Sequence, residues 1–472
     1  MRGEERADWR SDPAAPSASR DSGPCHWAAC LNAGCAEWRD RLGRQLRKIL
    51  VVTAYTGTNA SGEVLREIGI SHQDLVASDP KAAARRFREH NGLEASCSFD
   101  CIRGLNQDGI GWCWRCLSAR CQLPSIMPDL AVLGFPCRPF SRARTGSSSV
   151  DDVEKHQEFD LAAHALRFIA RVRPVAALCE NVVGFKPWIE GFCLRLEAEG
   201  YHVESRKLSL NTWTDAASTR FYVFALDVKR APRTALTRAL EMVDALQAAR
   251  GQQPPAPIQD ALLVPGTLLW EQYVRPLVAP TAGGAAQPVG RAHEPTENDS
   301  AWEQEAERLR SLWRRQGFEH HGARPWTEVP LNPPLLQGLP RKARIAELVE
   351  LGFLWASKKL GLSPLSAQDR PSIVANLFVD VSQNPCRKPW SYGLHRLTRN
   401  SHIYSYEHDR AISAFEAFRI YGWRSPCLEG LTTSEAWDLI GDSMALQTLA
   451  VSIVALVFGA GEYMPGLWEV KT

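Results

Sequence analysis

The sequence has no apolar run long enough to cross a bilayer, because its longest candidate, residues 449–459, is short and is interrupted by Ser452. The polar N-terminal residues lack the pattern of a signal peptide. The net charge is also small, at +2 for 472 residues. This value neither supports nor excludes nucleic acid as a partner. We therefore expect an intracellular protein outside membranes, located in the nucleus of a eukaryote or the cytoplasm of a prokaryote.

A regular cysteine framework is missing as well, although the chain has 13 cysteines. In a chain this long, irregular spacing favours a reducing compartment over a disulfide scaffold. Two groups have close spacing, the second with Cys97 and Cys101 upstream: Cys25/Cys30/Cys35 and Cys113/Cys116/Cys121. A zinc site usually needs four ligands in two close pairs, and neither group is completed by a histidine or a second cysteine pair. Between a metal site and free thiols, we expect free thiols and no metal.

The composition is that of a globular chain of enzyme size, with 44% hydrophobic residues. The length allows two domains, one of them interrupted by the other. Residues 1–24 are polar and predict a disordered tail. Residues 231–397 differ in composition and contain Pro- and Gly-rich linkers. We expect 25–230 and 398–472 to form one domain, with 231–397 as a smaller inserted region.

An α/β unit opens the first of these segments. Residues 48–53 have the pattern of an apolar strand, and the small-residue turn 54–62 leads into a helical pattern. A second strand, 74–78, ends at Asp79, about 20 residues past the turn. Nucleotide-binding units place an acid there that binds ribose hydroxyls, so Asp79 is a candidate for this role.

Cys137 follows another apolar strand, 131–133, and stands between Pro136 and Pro139. The prolines prevent an immediate helix, so we expect the cysteine on a stiff turn at the carboxyl end of a buried parallel strand. Taken alone, such a cysteine is more often a small buried hydrophobe. The polar, basic segment 141–149 beyond it suits a mobile loop that closes over an anionic substrate.

Glu180 and Asn181 end a further buried strand, 175–179, which follows the helical pattern 159–172. A carboxylate buried at a strand end is costly unless it is paired or protonated. These polar residues therefore indicate a functional site at the same sheet edge as Cys137.

The segment Pro136-Cys137-Arg138-Pro139-Phe140-Ser141 resembles the Pro-Cys-x-Pro-Phe-Ser motif of the C5-cytosine DNA methyltransferase family. Glu180-Asn181-Val182 is similar to the family's Glu-Asn-Val motif. Arg220 takes the place of the first arginine in its Gln-x-Arg-x-Arg motif, while Ser218 and Tyr222 replace the other two residues.

The family's nucleotide-binding motifs also have counterparts. Tyr55 and Gly57 match the start of its Phe-x-Gly-x-Gly-Gly motif, whereas Asn59 replaces a later glycine. The resemblance implies Asp79 as the ribose acid and Asp100 as the adenine contact. The cofactor site implied in this way is formed by Tyr55, Thr56, Gly57, Asp79, Asp100, Pro136, Asp442 and Ser443.

Two motifs near the C-terminus complete the order. Residues 410–423 resemble the family's Arg-x-Leu-Thr-x-x-Glu-x-x-Arg-Leu-Gln-Gly-Phe motif, and 440–445 resemble its Gly-Asn-Ala/Ser-Val-Pro motif, with Asp442 replacing Asn. The family fold implied is an α/β, Rossmann-like methyltransferase domain with a mixed, mostly parallel sheet and an inserted target-recognition domain.

Basic and aromatic residues occur together in the inserted region and at its end, which suits contacts with phosphates and base edges. The residues predicted to contact nucleic acid are Ser141, Arg142, Arg144, Arg396 and Arg399.

The resemblance implies methyl transfer from S-adenosyl-L-methionine to C5 of cytosine in double-stranded DNA by a monomeric enzyme. Cys137 would add to C6, Glu180 would act at N3, and Arg220 would hold the pyrimidine O2 or the glutamate. The base must be flipped out of the duplex. Two alternatives stay open: a DNA-binding regulatory relative without turnover, and a DNA-type fold that methylates cytosine in tRNA.

Overall fold

The computed structural model describes residues 27–31, 36, 45–140, 153–278, 307, 311, 314, 324–327, 335–339, 343–383, 389–394, 397–463 and 468–469. The predicted tail at 1–24 and the predicted loop at 141–149 lie outside these ranges.

The strands in the described residues are β1 (Gln45–Leu46), β2 (Ile49–Ala54), β3 (His72–Ser78), β4 (Cys97–Phe99), β5 (Ile110–Cys113), β6 (Ser118–Gln122), β7 (Leu130–Leu133), β8 (Ala176–Val182), β9 (Tyr201–Ser209), β10 (Thr219–Asp227), β11 (Leu377–Asp380), β12 (Trp390–Tyr392), β13 (Ile403–Ser405), β14 (Arg410–Ala411) and β15 (Trp468–Glu469).

The described residues include the α-helices Ala60–Glu67, Ala82–His90, Ile102–Asp108, Leu161–Val172, Lys186–Ala198, Arg233–Gly251, Leu268–Tyr273, Arg275–Val278, Ala343–Leu360, Arg370–Val374, Ala414–Ile420, Thr433–Asp442 and Leu446–Val454.

A nine-stranded mixed sheet with the order β6-β5-β4-β3-β2-β7-β8-β10-β9 forms the centre of the protein. The five strands β4, β3, β2, β7 and β8 are parallel to one another, and antiparallel strands extend both edges. The predicted strands at 48–53, 74–78, 131–133 and 175–179 correspond to β2, β3, β7 and β8. The predicted α/β fold with a mixed, mostly parallel sheet is thus confirmed.

Both faces of the parallel strands are covered, as a parallel sheet requires. Val51 and Val132 face one hydrophobic core, which includes Val64 of the helix Ala60–Glu67. Val52 faces the opposite core, which includes Phe168 of the helix Leu161–Val172. Because neighbouring residues along a strand point to opposite faces, the continuous apolar runs in the sequence supply both cores.

The C-terminal helices complete the first of these cores. Every residue of Leu446–Val454 is buried, and this helix contacts Ala60–Glu67 and Arg233–Gly251. The stretch Thr433–Gly459, 27 residues long, has the length and apolar composition of a membrane span, but 83% of its apolar window is buried inside the protein. Core helices of water-soluble proteins have the same properties, so this stretch is weak evidence for a membrane span.

A second, four-stranded sheet with the order β12-β11-β13-β14 packs against the helix Ala343–Leu360. Its own hydrophobic core includes Phe353, Trp390 and Tyr406. Since β13 and β14 lie beyond residue 397, the small sheet continues into the segment predicted to rejoin the first domain. The proposed division into domains stays a prediction.

The buried ion pair between Arg410 and Glu416 joins this small sheet to the rest of the chain. The two guanidinium nitrogens donate to the two carboxylate oxygens at 3.0 and 2.7 Å. The backbone N–H groups of Leu263 and Ser413 donate to the same carboxylate at 2.7 and 2.8 Å. Glu416 also closes the capping box of the helix Ala414–Ile420 with Ser413. Arg410 and Glu416 of the motif at residues 410–423 therefore have a structural role in the fold.

Replacing Glu416 with alanine should destabilise the protein by about 3–5 kcal/mol, because the buried Arg410 charge would lose its partner. Urea denaturation followed by circular dichroism measures the change in the free energy of unfolding. The matched control is Glu241→Ala, which removes the exposed Arg238–Glu241 pair and should leave the unfolding midpoint unchanged. Equal effects of the two substitutions would contradict the structural role of Glu416.

Candidate active site

A cavity of about 470 Å³ opens at the carboxyl edge of the parallel strands, where the chain order reverses between β2 and β7. Open α/β sheets bind their ligands at such a reversal. The predicted site residues that line this cavity are Tyr55, Gly57, Asp79, Asp100, Pro136, Cys137, Glu180, Arg220, Arg399, Asp442 and Ser443. Residues from both ends of the chain therefore meet in one cavity.

Cys137 is half-buried and begins a turn beyond the carboxyl end of β7, which ends at Leu133. The N–H of Phe140 donates to the Cys137 carbonyl oxygen at 3.0 Å, which closes the turn. Phe140 packs against Phe185, with 4.8 Å between ring centroids. Gly184 is required beneath it, because a Cβ atom there would lie 1.8 Å from the Phe140 carbonyl oxygen. This packing holds the cysteine at the cavity wall.

Glu180 is held by Arg220 from the neighbouring antiparallel strand. The Nε of Arg220 lies 2.7 Å from Oε1 of Glu180, and the two side chains are 11% and 12% exposed. Burial lowers the pKa of Arg220, but Glu180 acting together with the nearby Tyr421, Cys137 and Tyr222 outweighs this effect, so the pKa lies above its usual value. Oε2 of Glu180 lies on the side of Gly134, where a Cβ atom would approach it to 3.7 Å. The buried carboxylate is thus paired, as its position required.

Asn181 fixes the backbone that leads to the cysteine. Its Nδ2 donates to the carbonyl oxygen of Phe135 at 3.1 Å, and its Oδ1 accepts from the N–H of Val182 at 2.8 Å. Because Asn181 is buried, the carbonyl oxygen of Phe135 and the N–H of Val182 would each lose this hydrogen bond in an alanine variant. The Asn of the Glu-Asn-Val motif therefore ties β8 to the turn of Cys137.

Tyr222 explains one departure from the family motifs. It lies directly opposite Glu180 in the β8–β10 register, is fully buried, and forms a hydrogen bond of 2.8 Å between its hydroxyl and that of Thr448. Burial raises the pKa of its phenol, which stays protonated. The residue in the place of the second arginine thus links the sheet to the helix Leu446–Val454.

The turn after β2 accommodates Asn59 in the place of a glycine because this residue, like Tyr222, has local hydrogen-bond partners. Asn59 has φ 58°, a left-handed conformation that asparagine adopts more readily than most side chains. Its Oδ1 accepts from the N–H of Gly62, and its Nδ2 donates to the buried Asp74 at 2.8 Å. Asparagine therefore replaces the family's glycine and also caps the helix Ala60–Glu67.

Asp79 borders this turn at the end of β3. Its two oxygens accept from the backbone N–H of Gly57 at 2.8 Å and of Lys81 at 2.9 Å. Each oxygen keeps a second acceptor site for a ligand hydroxyl. Thr56 was predicted to contact the cofactor as well, but its hydroxyl is used within the fold. It accepts from the N–H of Ser78 at 2.9 Å and thereby joins β2 to β3.

Asp442 and Ser443 bring the C-terminal motif, residues 440–445, next to the turn that follows β2. The hydroxyls of Ser443 and Thr58 lie 3.1 Å apart. Asp442 pairs with Lys81 at 2.6 Å and with the guanidinium of Arg399. Burial opposes the charge of Lys81, yet Asp442 and Asp438 outweigh it and raise the pKa of its ammonium group. The charge introduced by the change from Asn to Asp is thus met by two cations.

Sequence reasoning missed Lys81 and Asp438, and it assigned Arg399 to nucleic acid alone. No local signal identifies this cluster, because Lys81 is 357 positions from Asp438 and 361 positions from Asp442 along the chain. Gly441 allows the close approach, since a Cβ atom there would lie 2.4 Å from the backbone nitrogen of Arg399. The predicted nucleic-acid contacts Ser141, Arg142, Arg144 and Arg396 lie outside the described residues.

Comparison with known proteins gives one match to a family model, and no curated protein sequence matches the chain. Among solved structures, the Entamoeba histolytica methyltransferase EhMeth is 14% identical, with a TM-score of 0.41, and the alignment covers 87% of this chain and 98% of that one. The S. pombe Dnmt2 methyltransferase is 13% identical, with a TM-score of 0.42 and coverage of 87% and 98%. A putative DNA modification methyltransferase from an E. coli prophage is 13% identical, with a TM-score of 0.44 and coverage of 88% and 100%.

The matched family model describes the C-5 cytosine-specific DNA methylases and spans residues 115–214. This segment includes the turn of Cys137 and the strand of Glu180. The match confirms the resemblance inferred from the motifs: residues 115–214 carry the sequence signature of the C-5 cytosine-specific DNA methylase family.

Proposed function

We propose that this protein transfers a methyl group from S-adenosyl-L-methionine to C5 of cytosine in double-stranded DNA. The observation that carries the proposal is the convergence of Cys137, Glu180 and Arg220 with Asp79 and Asp100 on one cavity. A nucleophile and a paired acid thus stand beside two carboxylates suited to a nucleoside. The signature of residues 115–214 supports cytosine as the acceptor.

The residues on the β2–β4 side fit the methyl donor. Asp79 has an acceptor site on each oxygen for the two ribose hydroxyls, and Asp100 is available to the adenine amino group. Pro80 and Ile102 offer apolar contacts to a flat ring. When bound, S-adenosyl-L-methionine supplies an electrophilic methyl group on its sulfonium centre.

The residues on the β7–β8 side fit a flipped cytosine. Glu180 acts in its protonated form: its Oε2 delivers a proton to N3 as the Cys137 thiolate forms a bond to C6, so that electron density gathers at C5. Arg220 holds the glutamate through Oε1, which directs Oε2 toward the base. Transfer of the methyl group to C5 leaves S-adenosyl-L-homocysteine. N3 returns its proton to Glu180, a base removes the C5 proton, and the S–C6 bond breaks with Cys137 leaving as the thiolate, so that aromaticity returns.

Base flipping costs a few kcal/mol, which contacts with the phosphate backbone help to offset. Ser141, Arg142, Arg144 and Arg396 are our candidates for these contacts. Arg399 has a different environment, because it lines the cavity and pairs with Asp442 and Asp438. We infer that Arg399 organises the cavity wall and contacts DNA only at its rim.

The alternative of a regulatory relative without turnover rested on the residues that depart from the family motifs. Asn59, Tyr222 and Asp442 each have local partners that satisfy the substituted group. Since Cys137, Glu180 and Arg220 are all present at the cavity, the geometry favours an active enzyme. Methylation of tRNA instead of DNA is decided by the acceptor assay below.

Purified protein should transfer radiolabelled methyl groups from S-adenosyl-L-methionine to cytosine C5 in duplex DNA. Cys137→Ser should abolish transfer because a serine hydroxyl is a far weaker nucleophile toward C6, and Glu180→Gln should lower it by roughly 100-fold or more, within the range of general acid catalysis. Cys193→Ser, a substitution outside the cavity, is the matched control and should leave the rate unchanged.

The assay is run with duplex DNA and with tRNA as parallel acceptors. Transfer to tRNA alone would replace DNA by tRNA in our proposal. No transfer to either acceptor, with the methyl donor still bound, would favour the regulatory alternative.

Asp79→Ala should weaken binding of S-adenosyl-L-methionine by about 1–3 kcal/mol, because two ribose hydroxyls would lose their acceptor. Isothermal titration calorimetry measures the affinity. Asp108→Ala removes an exposed carboxylate outside the cavity and is the control. An unchanged affinity in Asp79→Ala would mean that the nucleoside binds elsewhere.

A further inference from the structure

Four cysteine side chains meet at the edge of the main sheet, outside the cavity. Cys97 begins β4, Cys113 ends β5, Cys116 lies in the turn between β5 and β6, and Cys121 lies in β6. Their sulfur atoms all lie within 4.8 Å of one another. The expectation of free thiols rested on the lack of a second close pair, and here separate strands supply the two further sulfurs.

The distances between the sulfur atoms fit a tetrahedral metal centre. Sγ of Cys121 lies 3.6 Å from that of Cys97 and 3.7 Å from that of Cys116. A zinc ion with Zn–S bonds of about 2.3 Å requires sulfur atoms about 3.8 Å apart at the corners of a tetrahedron. A disulfide needs about 2.05 Å, so the cluster has the geometry of a shared ion.

The turn between β5 and β6 presents its cysteines in the way a metal-binding Cys-x-x-Cys turn does. The N–H of Cys116 points to Sγ of Cys113 at 3.4 Å, a contact that stabilises a thiolate. Leu117 in this turn has φ 50°, a left-handed backbone conformation that is strained for leucine. Its side chain is 73% exposed, so burial of apolar surface does not offset the strain. An ion that binds both cysteines would offset this strain.

The β5–β6 hairpin also has little apolar support of its own. All five residues of β6 are hydrophilic or small, and Trp112 and Trp114 are 36% and 39% exposed. A two-stranded hairpin without a hydrophobic face is marginally stable in water. Its attachments to β4 are the pairing of Cys113 with Phe99 and the bond from the Trp114 N–H to the Ser98 carbonyl oxygen at 2.8 Å. A further link to β4 would therefore stabilise the hairpin.

We propose that Cys97, Cys113, Cys116 and Cys121 bind a structural zinc ion. Four thiolates form a soft, tetrahedral donor set, which selects zinc or iron among the common metals, and a closed set of four protein ligands is typical of structural zinc. A reducing compartment keeps the thiols available to the ion.

The ion would tie the hairpin to β4, the strand that leads directly to Asp100 in the cavity. Cys97 and Asp100 are three residues apart, so the metal fixes the strand from which this acid extends. The zinc site would thus help to position Asp100, although the four cysteines lie outside the cavity. The zinc proposal itself stands on the four sulfurs and is independent of the reaction.

Elemental analysis of the dialysed protein should find one zinc ion per chain. Cys116→Ser and Cys121→Ser should each weaken zinc binding by roughly 100-fold or more, since loss of a ligand costs more than loss of a residue that only orients a ligand. Cys193→Ser is the matched control and should keep its zinc. Cobalt substituted for zinc should show the visible absorption of a tetrahedral thiolate site.

A second measurement does not depend on the variants folding. Removal of zinc from the wild-type protein with a chelator should speed amide hydrogen exchange in 110–122 and leave β2 and β7 protected, and added zinc should reverse the effect. Protein that contains no stoichiometric zinc and gains no cobalt spectrum would overturn the proposal. So would a disulfide among the four cysteines, or iron in place of zinc.

Discussion

The parallel pairing of β2 with β3 on one side and β7 on the other is the constraint on which the site depends. Parallel strands end at the same edge of a sheet, and reversal of the strand order leaves a crevice there. Because β2, β3, β4, β7 and β8 all point the same way, Gly57, Asp79, Asp100, Cys137 and Glu180 reach one cavity. The remaining contacts refine a geometry that the sheet topology imposes.

Charge pairing across the chain closes this cavity. Arg220 holds Glu180 from the antiparallel strand β10, and Lys81 and Arg399 hold Asp442 beside the first turn. Removing one member of a largely buried pair leaves a charge without a partner, which costs more than the pair contributes. At Asp442, Lys81 and Arg399 supply the partners that such a carboxylate needs.

Much of this arrangement was predictable from the sequence. Apolar runs that end in polar residues identified the ends of β3, β7 and β8, and with them Asp79, Cys137 and Glu180. The link between Tyr222 and Thr448 was not predictable, because strand periodicity says which residues share a face but not which distant helix covers them. The same reason hid the approach of Cys97 and Cys121 to the Cys113-x-x-Cys116 turn.

A bond between Cys137 and a cytosine C6 atom is the most direct test of the account. DNA in which the target cytosine carries fluorine at C5 cannot complete the elimination step, so a methylating enzyme stays attached to it. With S-adenosyl-L-methionine present, the wild-type protein should form a complex with this DNA that survives denaturing electrophoresis, and peptide mapping should locate the link at Cys137. Cys137→Ser protein should bind the same DNA without forming the complex. Wild-type protein that binds both the DNA and the methyl donor but never becomes attached would contradict the account.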